Sequence, residues 1–224
     1  QQTAALRNRR REIQHELGLP QQFFLASARF VPKKNLLRLL EAYARYRQLA
    51  RQSDLRPPTS DLWHLVLLGD GPLRSDLCHL ISDLGLQHSV HLPGFKQYPE
   101  LPAYFACASA FVHASTTEQW GLVVNEAMAS GLAVLVSNRC GCAPDLVQEG
   151  VNGFTFDPFN VEELANLMLR ISALESSSPP RSGRGKQGEV SNSMPQLSTI
   201  SHQPSTTLAQ MGAASQRIIA EWGT

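Results

Sequence analysis

The chain has 224 residues, 42% of them hydrophobic and 17% charged, which suits one large domain or two small ones at ~100–200 residues each and excludes a multi-domain machine. The apolar share is ample for a buried core. Twenty basic against nineteen acidic side chains give a formal net charge of +1, which argues against a protein that grips nucleic acid through a basic face.

In chain order, residues 1–19 carry Arg7, Arg9, Arg10 and Arg11 and predict an exposed basic linker helix. Beyond them, short runs of Val, Leu, Phe and Ala alternate with segments of helical period. Strands are expected at 23–28, 63–68, 90–92, 110–113, 133–137 and 153–156. Helices are expected at 35–50, 73–84, 101–106, 122–130, 143–147 and 161–174. In the first of these, Leu36, Leu39, Leu40, Tyr43 and Leu49 recur at three- and four-residue steps, with Arg38, Arg45 and Arg47 off that stripe. Such alternation predicts an α/β domain with a doubly wound parallel sheet, Rossmann-like, over residues 20–174. Ligands of these sheets lie beyond the carboxyl ends of the strands, so chemistry is sought just after each strand. Residues 51–61 read as a polar surface loop. Residues 175–206 hold nine Ser and four Pro with few large apolar groups, and read as a disordered insertion. Residues 207–224 close the chain with a helix.

Four cysteines, Cys78, Cys107, Cys140 and Cys142, fit neither paired zinc-site spacings nor a small disulfide framework. A reducing, cytoplasmic setting follows. No apolar run approaches the ~20 residues of a membrane span, and no signal peptide opens the chain. Residue 1 is Gln and the first Met is Met128, so further sequence is expected upstream.

Two constellations carry chemistry. After the first strand, Arg29 stands at a carboxyl end and Lys34 opens the next helix, so an Arg fork and a Lys point charge can converge on an anion such as a diphosphate. Taken alone, the pair reads equally well as surface cations. After the fourth strand comes a small polar loop with Glu118, then a helix begun at Gly121 whose free N–H groups face the same mouth. Glu126 follows early in that helix. Two acids beside a cationic site suit the hydroxyl groups of a sugar, although either alone reads as a solvated charge.

Together with Leu67-Leu68-Gly69-Asp70-Gly71-Pro72-Leu73, Val90-His91-Leu92-Pro93-Gly94-Phe95 and Gly121-Leu122-Val123-Val124, these residues make the chain resemble a known family. It is similar to the C-terminal, donor-binding half of a GT-B-fold glycosyltransferase of family 4 (glycogen-synthase-like, retaining, glycosyl transferases group 1). The likeness covers about residues 17–174, with a weaker echo at 211–222. It implies that Arg29, Lys34 and Glu118 are catalytic. Arg29 and Lys34 would hold the diphosphate of a nucleotide-sugar, and Glu118 would contact the donor sugar. It further implies donor contacts at Gln119, Trp120, Gly121, Leu122 and Val123, ribose hydroxyls at Glu126, and the base beside Gly94 and Phe95. The leaving phosphate would accept the acceptor's proton, so neither metal nor cofactor is implied and the nucleotide-sugar is a substrate. An N-terminal acceptor-binding domain, or a partner chain supplying one, would complete the cleft. The acceptor stays open, as does peripheral attachment of the complete enzyme to a membrane.

The sequence departs from the family at Gly141-Cys142-Ala143-Pro144-Asp145, where the family often has Gly-Gly-x-Pro-Glu, at Ala28 for a usual Gly, and at Gln119-Trp120 for Pro-Phe. Cys140 and Cys142 read as packed small residues. His113 reads as a packing or rim residue of the site. A nicotinamide fingerprint, a P-loop, an HExxH zinc motif and a G-x-S-x-G elbow are all missing. A non-catalytic nucleotide-sugar-binding or regulatory module, and a phosphorylase or epimerase on the same fold, remain alternatives.

Overall fold

A computed structural model describes residues 2–52, 62–176 and 206–222. Six strands, β1 (Phe23–Ser27), β2 (His64–Leu68), β3 (Val90–Gly94), β4 (Ala110–His113), β5 (Ala133–Ser137) and β6 (Gly153–Phe156), form a parallel sheet in the order β3-β2-β1-β4-β5-β6. The order reverses between β1 and β4, which pair directly through Phe24 and Ala110. At that switch point the connections leave toward opposite faces and a crevice opens beyond the carboxyl ends. The doubly wound sheet read from the sequence is the observed fold.

Side chains alternate across the strands with a period of two. Phe24, Leu65, Leu67, Val112, Leu135 and Phe154 face one core. There they meet Tyr43 and Tyr46 of α3 (Leu36–Gln52), Leu77 of α4 (Arg74–Asp83) and Met168 of α8 (Val161–Ser176). Phe23, Leu25, Val66, Phe111 and Val134 face the other core. Their partners are Phe105 of α5 (Leu101–Cys107), Met128 of α6 (Leu122–Ala129) and Leu146 of α7 (Ala143–Leu146). A sheet buried on both faces explains why the strands read as continuous apolar runs.

Most boundaries fall within two residues of the sequence reading, the usual scatter at element ends. One difference bears on the site. Lys34 does not open a helix: it ends a 3-10 turn, Pro32–Lys34, and Asn35 follows with φ 58° before α3 begins. The Asn35 amide donates to the Pro158 carbonyl at 2.7 Å, which holds this rare left-handed conformation in place.

The opening segment is two helices rather than one, α1 (Gln2–Arg7) and α2 (Arg10–Leu17). Arg7, Arg9 and Arg11 are exposed, but Ile13 of α2 packs in the second core and Gln14 is buried beside it. The closing helix α9 (Leu208–Trp222) buries Met211, Gly212, Ala214, Ser215 and Ile218. Apart from Arg51 and Gln52 in α3, the expected loop at 51–61 has only residues 53–61, which lie outside the described residues; so do residues 177–205 of the expected disordered insertion. Among the described residues, no helix is long and apolar enough to cross a membrane.

Candidate functional site

The loops after β1 and β4 meet at the switch point. Thr116 donates both its backbone N–H (2.8 Å) and its hydroxyl (3.3 Å) to the Lys33 carbonyl, which ties one loop to the other. Across this seam the Lys34 ammonium donates to the Glu118 carboxylate, and both side chains are largely buried. Burial alone would push the Glu118 carboxyl up. The hydrogen bond and charge of Lys34, aided by Lys33 and His113, outweigh that and hold it below the usual carboxylate range.

His113 ends β4 directly beneath the pair. Its Nε2 lies 3.9 Å from Glu118 and 3.3 Å from the Ser115 hydroxyl. Burial first, and then the charge of Lys34, lower its pKa to about 4, so the imidazole is neutral near pH 7. Gly121 caps α6 with φ 101°, and a side chain there would meet His113, Cys142 and Glu118. No side chain caps this helix; its first N–H groups are therefore available to an anion or a hydroxyl at the mouth.

Two braces hold the charged loops, and both depend on glycine. In Gly69-Asp70-Gly71 after β2, Phe30 donates to the Asp70 carbonyl at 2.8 Å and Leu73 to the Phe30 carbonyl at 3.1 Å. A Cβ on Gly69 would sit 1.9 Å from the Ala28 carbonyl oxygen. This packing flanks Arg29. On the other side, Gly141 donates to the Glu118 carbonyl (3.0 Å) and Cys142 to the Trp120 carbonyl (3.2 Å). A Cβ on Gly141 would lie 1.9 Å from the Gln119 carbonyl oxygen. Cys140 and Cys142 are buried in this brace, and burial raises their thiols to about 12 and about 11.

The sequence-derived residues thus fall into two neighbouring groups. Lys34 and Glu118 come together with His113 and Gly121. Arg29 and Phe95 instead share a cavity of about 420 Å³, lined also by Gly69, Asp70 and Lys96, beyond the ends of β1, β2 and β3. Gly94, with φ 84°, ends β3 and accepts from the Gly69 N–H at 3.0 Å. Glu126 sits one turn into α6; its carboxylate has no hydrogen-bond or ion-pair partner among the described residues, and partial burial raises its pKa. Leu122 and Gln119 are exposed at the mouth.

Trp120 and Val123 turn away, toward the second core. The Trp120 indole donates to Asn125 at 3.0 Å and packs on Trp222 of α9 with ring centroids 4.8 Å apart. The contacts of these two residues with a ligand would therefore come from backbone. Sequence reasoning did not single out Thr116, Lys33 or Lys96, nor the bracing role of Gly69 and Gly141. The glycines were the available signal, since both stand in turns beside the charged loops.

Paired cations, a carboxylate and a helix start at a topological switch point define a Rossmann-like α/β domain built to take an anionic ligand at the carboxyl edge of its sheet. The family model for glycosyl transferases group 1 matches residues 9–188. The chain belongs to that family, and its sheet is one Rossmann-like half of a GT-B glycosyltransferase.

Among its relatives, sulfoquinovosyl transferase SQD2 of Arabidopsis thaliana is 40% identical over 102 residues, which cover 44% of this chain and 19% of that protein. Alpha-D-kanosaminyltransferase of Streptomyces kanamyceticus is 27% identical over 164 residues, 73% of this chain and 40% of the relative. The same fold occurs in the structure of Anabaena HepE in complex with UDP (TM-score 0.67, 24% identity, 95% of this chain and 48% of that one). WaaG, a glycosyltransferase involved in lipopolysaccharide biosynthesis, shares it too (TM-score 0.67, 20% identity, 95% and 47%). The chain spans less than half the length of each of these four.

Proposed function

We propose that the chain is the donor-binding domain of a retaining glycosyltransferase, which transfers a sugar from a nucleotide diphosphate sugar to an acceptor. The observation that carries this reading is the Lys34–Glu118 pair across the β1/β4 seam, beside the cavity that holds Arg29 and Phe95. The base would lie against Phe95 and Gly94, the diphosphate between Arg29 and Lys34, and the ribose hydroxyls on Glu126. Glu118 and the first N–H groups of α6, from Gly121 onward, would face the donor sugar.

Lys34 would exchange its bond to Glu118 for one to phosphate as the donor enters. That leaves Glu118 free to accept from a sugar hydroxyl. Charge that builds on the diphosphate as the glycosidic bond breaks would fall between two fixed cations and a helix start, an arrangement organised before reaction. The leaving phosphate oxygen would take the acceptor's proton, so the scheme uses no metal and no bound cofactor. His113, neutral near pH 7, is a polar wall of the pocket in this scheme and no acid. An N-terminal domain or a partner chain would supply the acceptor site, and the complete enzyme would work in the cytoplasm or at the surface of a membrane facing it.

Calorimetric titration with UDP, GDP and ADP tests the donor site. At least one nucleotide should bind. Arg29→Ala should weaken it by roughly tenfold or more, the scale of a charge-assisted hydrogen bond, and Glu126→Ala should weaken it less. UDP is the first choice, because HepE was solved with it. Failure of all three nucleotides to bind a folded chain overturns the proposal. A transfer assay with and without an added N-terminal domain then distinguishes a half-enzyme from a non-catalytic module.

A further inference from the structure

A second cationic cavity lies at the opposite end of the sheet. Gln21, Ser109 and Gly131 precede β1, β4 and β5, and beside them opens a cavity of about 280 Å³ lined by Arg7, Arg10, Ser109, Gly131, Leu208 and Ala209. Arg7 Nη2 donates to the Gly131 carbonyl at 2.9 Å. Arg10 Nη2 donates to the Gln21 carbonyl at 2.9 Å and to the Ser109 hydroxyl oxygen at 3.1 Å. These bonds anchor each guanidinium at one nitrogen. The Nε and Nη1 groups of both have no protein partner among the described residues.

The electrostatics here are unbalanced. Arg9 pairs with Glu12, but among the described residues no acid pairs with Arg7 or Arg10. Burial lowers the pKa of Arg7, and the charge of Arg10 lowers it further. Arg7 as a whole residue is exposed and Arg10 is partly buried, and two like charges fixed side by side by backbone anchors repel each other and favour a counter-ion between them. One guanidinium fork satisfies the two oxygens of a carboxylate; two forks and a serine hydroxyl on one cavity match an anion with three or more acceptor oxygens.

We propose that this cavity binds a phosphate group, free in solution or at the head of an anionic lipid, between Arg7 and Arg10. The site is separate from the proposed donor pocket, since it opens at the amino ends of the strands. α6 runs between the two, from its cap Gly121 at the donor mouth toward Gly131, which lies just past its end and lines the cavity.

Inorganic phosphate titrated into the full chain at constant ionic strength tests the first source. Co-sedimentation with phosphatidylcholine vesicles, with and without phosphatidylglycerol, tests the second. Saturable binding in either arm, weakened roughly tenfold or more by Arg10→Gln and retained in Arg29→Ala, is the expected result. Phosphate binding alone assigns a soluble ligand; binding only to phosphatidylglycerol vesicles assigns a lipid headgroup. Arg10→Lys, which keeps the charge and loses the fork, should bind several-fold more weakly than wild type while circular dichroism shows it folded. Unchanged affinity in folded Arg10→Gln or Arg10→Lys overturns the proposal, as does no saturable binding in both arms. Because Arg29→Ala weakens donor affinity and spares this site, failure here is distinguishable from failure of the donor reading.

Discussion

His113 couples stability to pH through its burial. It is 3% exposed, and burial with Lys34 above it lowers its pKa to about 4 from an ordinary value near ~6.5. An unfolded chain therefore takes up a proton, as pH falls below ~6.5, that the folded chain refuses down to about 4. Stability is lost over that window, by about 2 kcal/mol at pH 5. Glu118 acts in a different window. Its pKa is depressed, so its contribution is present above the ordinary carboxylate range and is lost only as pH falls through the lower folded value. At pH 5 the histidine effect stands clear of it. Urea unfolding at pH 7 and pH 5 should show His113→Gln losing about 2 kcal/mol less than wild type between the two. Equal losses would mean that the imidazole is charged in the folded state.

At the scale of elements, the charged residues matter only because two glycine braces fix their loops. Gly69 and Gly85 both have positive φ, at 132° and 65°, yet a Cβ on Gly69 meets the Ala28 carbonyl oxygen at 1.9 Å while one on Gly85 meets nothing within 4 Å. Gly85→Ala should cost only the left-handed penalty, about 1 kcal/mol. Gly69→Ala must also displace backbone and should cost roughly 3 kcal/mol, with loss of nucleotide affinity because Arg29 moves. Chemical denaturation and titration of both variants check the contrast; similar costs would show that the β2 loop yields easily.

The six strands were legible in the sequence because a sheet buried on both faces writes itself as apolar runs, and the charged residues after β1 and β4 were legible as types. The braces were not, since they join backbone to backbone between segments far apart in the chain and leave no side-chain pattern. The position of Lys34 was misread for a local reason: Asn35 breaks the helix start by adopting φ 58°, which its amide bond to Pro158 stabilises from 123 residues away. The pairing of the Trp120 ring with Trp222 was illegible for the same reason as the braces, since it joins segments far apart in the chain.

At the scale of the whole molecule, α9 joins the two cores. Met211 belongs to one and Ile218 to the other, while the Ser215 hydroxyl donates to the Leu132 carbonyl at 2.7 Å. The helix lies so close to the sheet that a Cβ on Gly212 would be 2.2 Å from the Gly131 carbonyl oxygen. Any larger residue must push α9 away along its length, because the contact is with backbone and cannot be relieved by a rotamer change. If α9 is part of the cooperative unit, Gly212→Val should destabilise both cores together, by roughly 3 kcal/mol. Tryptophan fluorescence, which reports Trp63 in the first core and the Trp120–Trp222 pair at the second, should then shift its urea midpoint in step with far-ultraviolet circular dichroism. If α9 were an appendage, the Trp120–Trp222 signal would be lost well before the helical signal of the remaining domain, and the midpoint for Trp63 would stay at the wild-type value.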